Sequence, residues 1–268
     1  MNSLNSLEFD PQIIMKLALG LASKARFQTD PNPMVGAVLV DRFGKVLAEG
    51  YHQKAGSPHA EVEALQSFDT VPEASILFVT LEPCNFFGKT PPCTELILKK
   101  GVRRVVVGTR DPNPRVSGGG IAFLRSRGVE VLEGICEKEC RELNRVFNTH
   151  IVKERPFVTV KTAMSLDGKI AMASGESQWI TGKKAREAGH LLRSQHQAIA
   201  IGSQTLITDN PRLTDRVSEV PRQPWRVVFS SSGKIPADSH FTRNADTERF
   251  LVTGNRIPAE RRESLQKL

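Results

Sequence analysis

The stretch SPHAEVEAL, Ser57–Leu65, places a helix between predicted strands and so sets the α/β pattern of the first half of the chain. It also puts His59 two residues before Glu61 at the start of that helix. The helix dipole favours acidic residues in a first turn, so both residues could simply lie on a solvated surface. The alternative is that they take part in chemistry, and the neighbouring segments have to decide between the two.

Helices and strands are predicted to alternate on both sides of this stretch. Asp10-Pro11 predicts a helix start, with a capping side chain followed by proline in the first turn. Two strands, VGAVLV and KVLAEG, are predicted around a turn at residues 41–44. After SPHAEVEAL come a strand, a helix, a strand, a helix, a strand and a helix, in the segments ILFVTL, PPCTELILKKG, RRVVVG, IAFLRSRG, VEVLEG and CEKECRELNRVFNTHI. This alternation predicts a sandwich with helices on both faces of one sheet.

The pattern changes after Arg155-Pro156. PFVTVKTAMSLDGKIA predicts strand and turn, KKAREAGHLLRSQ a helix, and AIAIGSQTL a strand that runs into a loop. WRVVFS and RFLVTG predict further strands, with a helix after the second. These elements indicate a second α/β unit, and 268 residues are enough for two domains. We therefore assign residues 1–152 and 153–268 to separate domains.

Composition excludes several classes of protein. No run of about 18 apolar residues and no basic, then apolar, N-terminal segment is present, so neither a membrane span nor a secretion signal is predicted. The formal net charge is +8, but the basic residues form no long tract and there are only one tyrosine and two tryptophans for base stacking. Phosphorylated metabolites are therefore favoured over nucleic acid. Four cysteines in a chain of this length fit a reducing cytoplasm, where thiols can bind metal.

Two of the cysteines bound a loop that follows the predicted strand ILFVTL. Cys84 follows the strand, and Cys93 lies in the first turn of the next helix, whose N-terminus is expected to lower its thiol pKa. His59 begins the preceding helix, so the N-termini of two neighbouring helices would bring one nitrogen and two sulfurs together. Three protein ligands leave one zinc position for water, as in catalytic zinc sites. A structural zinc knuckle and plain buried cysteines are the alternatives.

Glu61 then has a role beside this predicted site. Zinc lowers the pKa of a bound water to roughly 7, and a nearby carboxylate can pass its proton to a ring nitrogen and then to departing ammonia. His-x-Glu, followed later by Pro-Cys and a second cysteine, is typical of zinc-dependent nucleobase deaminases. Here eight residues separate the cysteines instead of two. We interpret Cys136 and Cys140 as structural and His52 as a candidate substrate contact.

Longer motifs carry a resemblance to a known family. TDPNPMVGAVLV, SPHAEVEAL, TLEPCNFFGKTPPC and DPNPRVSGGG together resemble the bifunctional deaminase/reductase of riboflavin biosynthesis, and VKTAMSLDGKIA, SGESQWITG, HLLRSQ and IGSQTLITDNPRLTDR resemble its reductase domain. The resemblance implies a cytidine-deaminase-like α/β/α sandwich followed by a dihydrofolate-reductase-like α/β domain. Because the family's reductase domain continues beyond the position of Leu268, the resemblance also implies that this domain is incomplete at its C-terminus.

Two reactions are implied by this resemblance. The first is the zinc-dependent hydrolytic deamination of 2,5-diamino-6-(5-phosphoribosylamino)pyrimidin-4(3H)-one to 5-amino-6-(5-phosphoribosylamino)uracil. The second is the NADPH-dependent reduction of the ribosyl group to ribityl. The expected partners are this phosphorylated pyrimidine and further copies of the chain in a homo-oligomer, with no nucleic acid and no membrane, and the expected location is the cytoplasm.

The resemblance also implies roles for individual residues. Zinc would be held by His59, Cys84 and Cys93, with Glu61 as the proton shuttle. In the first half, the candidate substrate-binding residues are Asn32, Lys89 and Asn113. In the second half, the residues that match NADP contacts are Ala163, Trp179, Thr205 and Asp209, and those that match substrate contacts are Ser177, Arg193, Leu213 and Arg216. Lys161 and Asp209 are further candidates near the reacting sugar.

Some of these residues also have simpler interpretations. A guanidinium can bind a phosphate with two hydrogen bonds, which suits the two arginines, but each could equally lie on a solvated helix face or turn. Trp179 could equally belong to a hydrophobic core.

Phe86 departs from the family pattern, which usually has histidine two residues after the first cysteine. This change leaves the zinc ligands intact and removes a hydrogen-bond donor, which predicts weaker pyrimidine binding by about 1–3 kcal/mol. Two alternatives stay open: a deaminase with a non-functional reductase half, and a catalytically dead pyrimidine-nucleotide-binding module. A zinc deaminase of free or nucleic-acid-borne bases predicts a Cys-x-x-Cys spacing and no second domain, and the sequence has neither property.

Overall fold

A computed structural model of the chain describes residues 7–26, 28–87, 91–114, 116–217, 223–243, 246–255 and 257–266. The chain separates into two compact units, with the division between Val158 and Thr159. Among the described residues, no helix has the length and apolar character needed to cross a membrane.

The first unit is built on a five-stranded sheet with the strand order β2-β1-β3-β4-β5. The strands are β1 (Gly36–Val40), β2 (Val46–Tyr51), β3 (Ile76–Leu81), β4 (Arg104–Thr109) and β5 (Glu130–Glu133). Strand β1 is antiparallel to both of its neighbours, whereas β3, β4 and β5 are parallel to one another. The carboxyl ends of these three parallel strands therefore share one edge of the sheet.

Helices cover both faces of this sheet, as the sequence predicts. They are α1 (Pro11–Ser23), α2 (Ala60–Leu65), α3 (Cys93–Lys99), α4 (Gly119–Ser126), α5 (Glu137–Leu143) and α6 (Arg145–Lys153). Helix α1 begins as expected, because the Asp10 carboxylate accepts a hydrogen bond from the Gln12 N–H at 2.9 Å. One core cluster lies under α2, α3 and α4, and the other lies under α1 and α5. Alternate β1 residues enter each cluster: Ala37 and Leu39 the first, Val38 and Val40 the second.

The single helix predicted over CEKECRELNRVFNTHI is wrong, because the segment forms two helices, α5 and α6. Asn144 separates them and is buried. Its side-chain amide donates to the Met34 carbonyl and accepts from the Met34 N–H, both at 2.8 Å. This pair of long-range hydrogen bonds accounts for the break.

The second unit contains a parallel three-stranded sheet with the order β6-β7-β8. Its strands are β6 (Ala198–Gly202), β7 (Trp225–Ser230) and β8 (Arg249–Thr253), and its helices are α7 (Lys183–Ser194), α8 (Ser203–Asp209), α9 (His240–Arg243) and α10 (Ala259–Gln266). The loop predicted after β6 is wrong, since α8 begins there directly. Leu206 from α8 packs with Val228 and Phe241 in a small core, which explains why this segment is helical.

The strand predicted within PFVTVKTAMSLDGKIA is also wrong, because residues 156–165 form no strand. Val158 and Val160 are 67% and 82% exposed. A strand is stabilised by its ladder of hydrogen bonds, and none of the described strands pairs with this segment. The predicted turn is present, closed by the Gly168 N–H donating to the Ser165 carbonyl at 3.0 Å.

Candidate functional site

A histidine and two cysteines converge at the carboxyl edge of the first sheet. Nδ1 of His59 lies 3.2 Å from Sγ of Cys93 and 3.6 Å from Sγ of Cys84. All three potential ligand atoms lie within 4.8 Å of one another. The structure thus brings together the three residues that the sequence proposes as metal ligands.

Local structure explains why these side chains meet. His59 is the N-terminal cap of α2, Cys93 is the first residue of α3, and Cys84 lies in the loop that follows β3. The Cys93 N–H donates to Sγ of Cys84 at 3.4 Å, and the Thr94 N–H donates to the Cys84 carbonyl at 3.2 Å. The first turn of α3 therefore holds the Cys84 loop in place.

The donor set and its spacing fit zinc. Around a tetrahedral zinc, a nitrogen and a sulfur ligand lie about 3.5 Å apart and two sulfur ligands about 3.8 Å apart, given bonds of roughly 2.0 Å to nitrogen and 2.3 Å to sulfur. The two nitrogen–sulfur distances, 3.2 and 3.6 Å, are close to that separation. Two thiols and an imidazole are also ligands that zinc prefers. Three protein ligands leave a coordination position for water.

The two thiols differ in the direction of their pKa shifts. Cys84 has a lowered pKa, mainly because its sulfur accepts a hydrogen bond from the Cys93 thiol. The pKa of Cys93 is raised, because its protonated thiol donates to Cys84 and because it is buried. The expectation that the α3 N-terminus lowers the Cys93 pKa is therefore wrong. The N–H at that terminus points at Cys84, and Cys84 is the thiol that it stabilises as thiolate.

Glu61 lies in the first turn of α2 beside these ligands and is 3% exposed. Burial, followed by the negative charge of Cys84, raises the pKa of its carboxyl group to about 7. A carboxyl group whose pKa lies near neutrality is suited to taking up and releasing a proton. Its carboxylate also interacts with the Cys93 thiol, which places it next to the ligand cluster.

A second histidine connects this cluster to the loop that carries Asn32. The ring of His52 meets the ring of His59 edge-on, with centroids 5.5 Å apart. Nδ1 of His52 lies 3.0 Å from the Pro58 carbonyl and Nε2 lies 3.1 Å from the Asn32 amide nitrogen. Donation from Nδ1–H to the carbonyl leaves Nε2 to accept from Asn32. Burial lowers the His52 pKa, which favours this neutral form of the ring.

Asn113 lies in the loop after β4, and its N–H donates to the Asp111 carboxylate at 2.8 Å. Lys89 lies outside the described residues. Phe86 and Phe87 follow Cys84 closely and are 49% and 73% exposed. The Phe86 ring, two residues after Cys84, is thus accessible to solvent.

In the second unit, the structure brings three of the proposed substrate-binding residues together. Arg193, on α7, donates to the Thr214 carbonyl at 3.2 Å, and Arg216 donates to the Thr214 hydroxyl at 3.2 Å. Leu213, next to Thr214, is 4% exposed. Burial and the charge of Arg216 lower the Arg193 pKa. Two guanidinium groups therefore lie at one turn, and the buried acidic residue Asp215 of the same turn also acts on Arg193.

Among the described residues, no hydrogen bond or ring contact joins the other proposed residues of the second unit to Arg193 or Arg216. Trp179 is 71% exposed and lies under the Arg186 guanidinium at 4.3 Å, so it is not a core residue. Thr205 and Asp209 are exposed on α8, and the remaining two, Ala163 and Ser177, are on irregular segments that precede α7.

Sequence reasoning missed Glu82 and Asn144. Glu82 is a buried charged residue between a buried strand and Pro83-Cys84, and that placement in the sequence TLEPC was the available signal. Asn144 gave no comparable signal, because its partner Met34 is 110 residues away in the chain.

Comparison with known proteins agrees with this arrangement. Residues 10–109 match the cytidine and deoxycytidylate deaminase zinc-binding region, and residues 156–268 match the RibD C-terminal domain. Riboflavin biosynthesis protein RibD of Aquifex aeolicus is 46% identical over 239 residues, which cover 89% of this chain and 67% of that protein. RibD of Escherichia coli is 41% identical over 256 residues, covering 88% of this chain and 70% of that protein.

A solved structure is also similar to this chain. The diaminohydroxyphosphoribosylaminopyrimidine deaminase/5-amino-6-(5-phosphoribosylamino)uracil reductase of Thermotoga maritima is 42% identical and aligns with a TM-score of 0.79, covering 93% of this chain and 72% of that one. This chain spans about two thirds of the length of the curated relatives that it matches. It belongs to the RibD family of riboflavin biosynthesis proteins and contains a deaminase domain and a reductase-type domain of that family.

Proposed function

We propose that the first unit hydrolytically deaminates 2,5-diamino-6-(5-phosphoribosylamino)pyrimidin-4(3H)-one to 5-amino-6-(5-phosphoribosylamino)uracil. The observation that carries this proposal is the cluster of His59, Cys84 and Cys93 with the buried Glu61 carboxyl beside it. The Thermotoga maritima relative is named for this deamination and for the reduction that follows it.

Zinc is the proposed cofactor of the first unit, where His59, Cys84 and Cys93 would hold it, and it would supply Lewis-acid activation of a water molecule. Glu61 would accept one proton of the attacking water and donate it to a ring nitrogen. It would then accept the second proton, from the resulting hydroxyl group, and donate it to the amino group that departs as ammonia. In the metal-free protein burial already raises the pKa of this carboxyl group to about 7, and a raised pKa suits a group that both accepts and donates a proton. The buried position of Glu61 keeps bulk water from competing for this proton.

Substrate orientation is assigned to the loops around this cluster. Asn32 is held by His52, which packs against His59, so its amide has a fixed place near the metal ligands. Asn113 is presented by the loop after β4. Lys89 remains a proposed substrate-binding residue from the sequence alone.

For the second unit we propose NADPH-dependent reduction of the ribosyl group to ribityl. Arg193 and Arg216 would bind the substrate phosphate at the turn around Thr214, with Leu213 and Ser177 as further substrate contacts. Ala163, Trp179, Thr205 and Asp209 are the proposed NADPH contacts. The two steps would take place in the cytoplasm, on a phosphorylated small molecule, in a homo-oligomer.

The test is ammonia release from the diaminopyrimidine nucleotide by zinc-loaded protein, with NADPH absorbance followed in the same cuvette. Ammonia release supports the deaminase, and loss of NADPH absorbance that requires prior ammonia release supports the reductase. Protein that holds one zinc per chain and releases no ammonia would overturn the first proposal. Ammonia release without NADPH oxidation would leave a deaminase alone.

A pyrimidine-nucleotide-binding module without catalysis is the second candidate, and Phe86 is the observation that favours it. Its exposed ring, two residues after Cys84, stands where the resemblance implies a hydrogen-bond donor. Calorimetric binding of the diaminopyrimidine nucleotide with no ammonia release would select this candidate.

A further inference from the structure

Glu82 is a buried acidic residue that the proposed mechanism does not use. It follows β3 directly and precedes Pro83-Cys84, and its side chain is 4% exposed. Its own N–H donates to the Thr109 carbonyl at 2.9 Å, which continues the pairing of β3 with β4. A buried charge is costly unless it is hydrogen-bonded, so its partners indicate what it does.

Four backbone N–H groups donate to the Glu82 carboxylate. Oε1 accepts from Gly120 at 3.0 Å and from Ile121 at 3.1 Å. Oε2 accepts from Gly118 at 2.8 Å and from Asp111 at 3.3 Å. The α4 N-cap residue supplies no side-chain cap of its own. Glu82 therefore serves as the cap of α4, and its negative charge is favoured at that N-terminus by the helix dipole.

Glycines allow this close arrangement. A Cβ atom on Gly120 would lie 2.0 Å from the Pro83 carbonyl oxygen, so the first turn of α4 packs directly on the peptide before Cys84. Gly118 has φ +77°, a conformation that glycine adopts without strain. The loop after β4 is thereby held against the segment that carries a metal ligand.

This loop also carries Asn113, the proposed substrate-binding residue. The Asn113 N–H donates to the Asp111 carboxylate at 2.8 Å, and the Val116 and Ser117 N–H groups donate to the Asn113 carbonyl at 2.9 Å each. Both ends of the loop, at Asp111 and at Gly118, are bound by Glu82. Glu82 thus binds both ends of the loop that carries Asn113, next to the Cys84 segment, where the Asn85 amide also donates to the Gly119 carbonyl at 3.5 Å.

We propose that Glu82 is a positioning residue for the deaminase substrate, which it serves by fixing the loop that carries Asn113 against the Cys84 segment. This inference rests on the proposed deaminase function. A proton-transfer role does not suit Glu82, because each carboxylate oxygen already accepts two backbone N–H groups.

The test uses the zinc-loaded full chain with Glu82→Gln. The amide keeps the size of the side chain, but its NH₂ group faces backbone donors that it cannot satisfy. We expect one zinc per chain, kcat within about threefold of wild type, and KM raised roughly 10- to 100-fold, since the loss of one hydrogen bond to a buried group weakens binding by about that factor. In the absence of substrate, the backbone amides of Gly118, Gly120 and Ile121 should exchange hydrogen faster in Glu82→Gln than in wild type. Glu130→Gln is the matched control: its carboxylate pairs with Arg104 at the opposite edge of the sheet, and KM should not change.

A double-mutant cycle separates positioning from a general loss of stability. If Glu82 acts through Asn113, the KM increase of Glu82→Gln combined with Asn113→Ala should fall well short of the product of the two single increases. Should Glu82→Gln fail to fold, Glu82→Asp keeps the charge, shortens the reach and takes its place, with the same expected increase in KM.

Unchanged KM, multiplicative effects in the cycle, or unchanged exchange at the three amides would each overturn the inference. A wild-type protein that releases no ammonia would instead refute the proposed function. In that case amide exchange, together with calorimetric binding of the diaminopyrimidine nucleotide to wild type and Glu82→Gln, still decides the role of Glu82.

Discussion

Replacing Glu61 with glutamine is expected to stabilise the zinc-free protein while removing its deaminase activity. In the folded state, burial raises the pKa of Glu61 from 4.5 to about 7. The folded protein therefore favours the protonated form of Glu61. The contribution of this residue to the free energy of unfolding is fully present below pH 4.5 and is lost as the pH rises through 7. One pKa unit corresponds to about 1.4 kcal/mol. The ionised carboxyl group should thus cost about 3 kcal/mol of folding free energy at pH 8 and about 1 kcal/mol at pH 5.

Glutamine has nearly the same shape and carries no charge, so it should remove this cost. The free energy of unfolding of Glu61→Gln should exceed that of wild type by about 3 kcal/mol at pH 8 and by about 1 kcal/mol at pH 5. The measurement is a urea titration in the presence of a chelator. Unfolding is detected by hydrogen exchange of the β3 amides, so that only the first unit is observed. Glu63→Gln is the matched control, because Glu63 lies on the same helix, is only partly buried, and accepts from Gln66 at 3.2 Å.

In the zinc-loaded protein, Glu61→Gln should retain one zinc per chain and lose on the order of 10²–10⁴ in the rate of ammonia release. Activity and stability should therefore change in opposite directions at one position. A variant that is less stable than wild type at pH 8 would refute the burial argument. A variant that releases ammonia at the wild-type rate would refute the proton-transfer role.

Three further substitutions test other parts of the proposals. Phe86→His should leave zinc content unchanged and lower KM for the diaminopyrimidine nucleotide by roughly 5- to 150-fold, the equivalent of one recovered hydrogen bond; an equal effect from Phe87→His would contradict this. Cys93→Ser should abolish zinc binding, as measured by elemental analysis, whereas the control Cys136→Ser should retain the metal. If Cys93→Ser retains zinc, the proposed set of metal ligands is wrong. In the reduction, Arg193→Ala should raise KM for the phosphorylated substrate roughly 10- to 100-fold and leave KM for NADPH unchanged. The assay follows NADPH absorbance. A change in KM for NADPH alone would contradict the proposal that Arg193 binds the substrate phosphate.

Local sequence patterns were sufficient for most of the first unit. The start of α1 follows from Asp10-Pro11, which act within one turn, and the β1–β2 hairpin follows from two apolar strands around a polar turn. The alternation of helices and strands then fixes the sandwich, because each helix has an apolar face that only the sheet can bury. These features depend on residues that are close together in the chain.

The fold predictions that were wrong depend on contacts between distant residues. The break between α5 and α6 is made by Asn144 through hydrogen bonds to Met34, which no helical pattern reveals. The strand predicted around Val158 and Val160 has the right residues but no described strand to pair with. Helix α8 forms because Leu206 has a core to enter.

The candidate metal site was predictable from the same alternation of strands and helices. His59, Cys84 and Cys93 each follow the end of a strand or begin a helix, and in an α/β sandwich these positions meet at one edge of the sheet. The role of Glu82 was not predictable, because its N–H donors lie 29–39 residues further along the chain. The protonation states of the two thiols were not predictable either, because they depend mainly on the hydrogen bond from the Cys93 thiol to the Cys84 sulfur.

The proton on the Cys93 thiol connects the proposed metal ligands with the proposed proton transfer by Glu61. Without metal, the Cys93 thiol lies between the Cys84 sulfur and the Glu61 carboxylate, and both favour its protonated form. Zinc ligands bind as thiolates, so metal binding has to remove this proton. A Cys93 thiolate has no proton to donate, so the Glu61 carboxylate would then be buried with its acceptor capacity free. The same burial that makes the Glu61 charge costly in the metal-free protein would then make a metal-activated water molecule the proton donor available to this carboxylate.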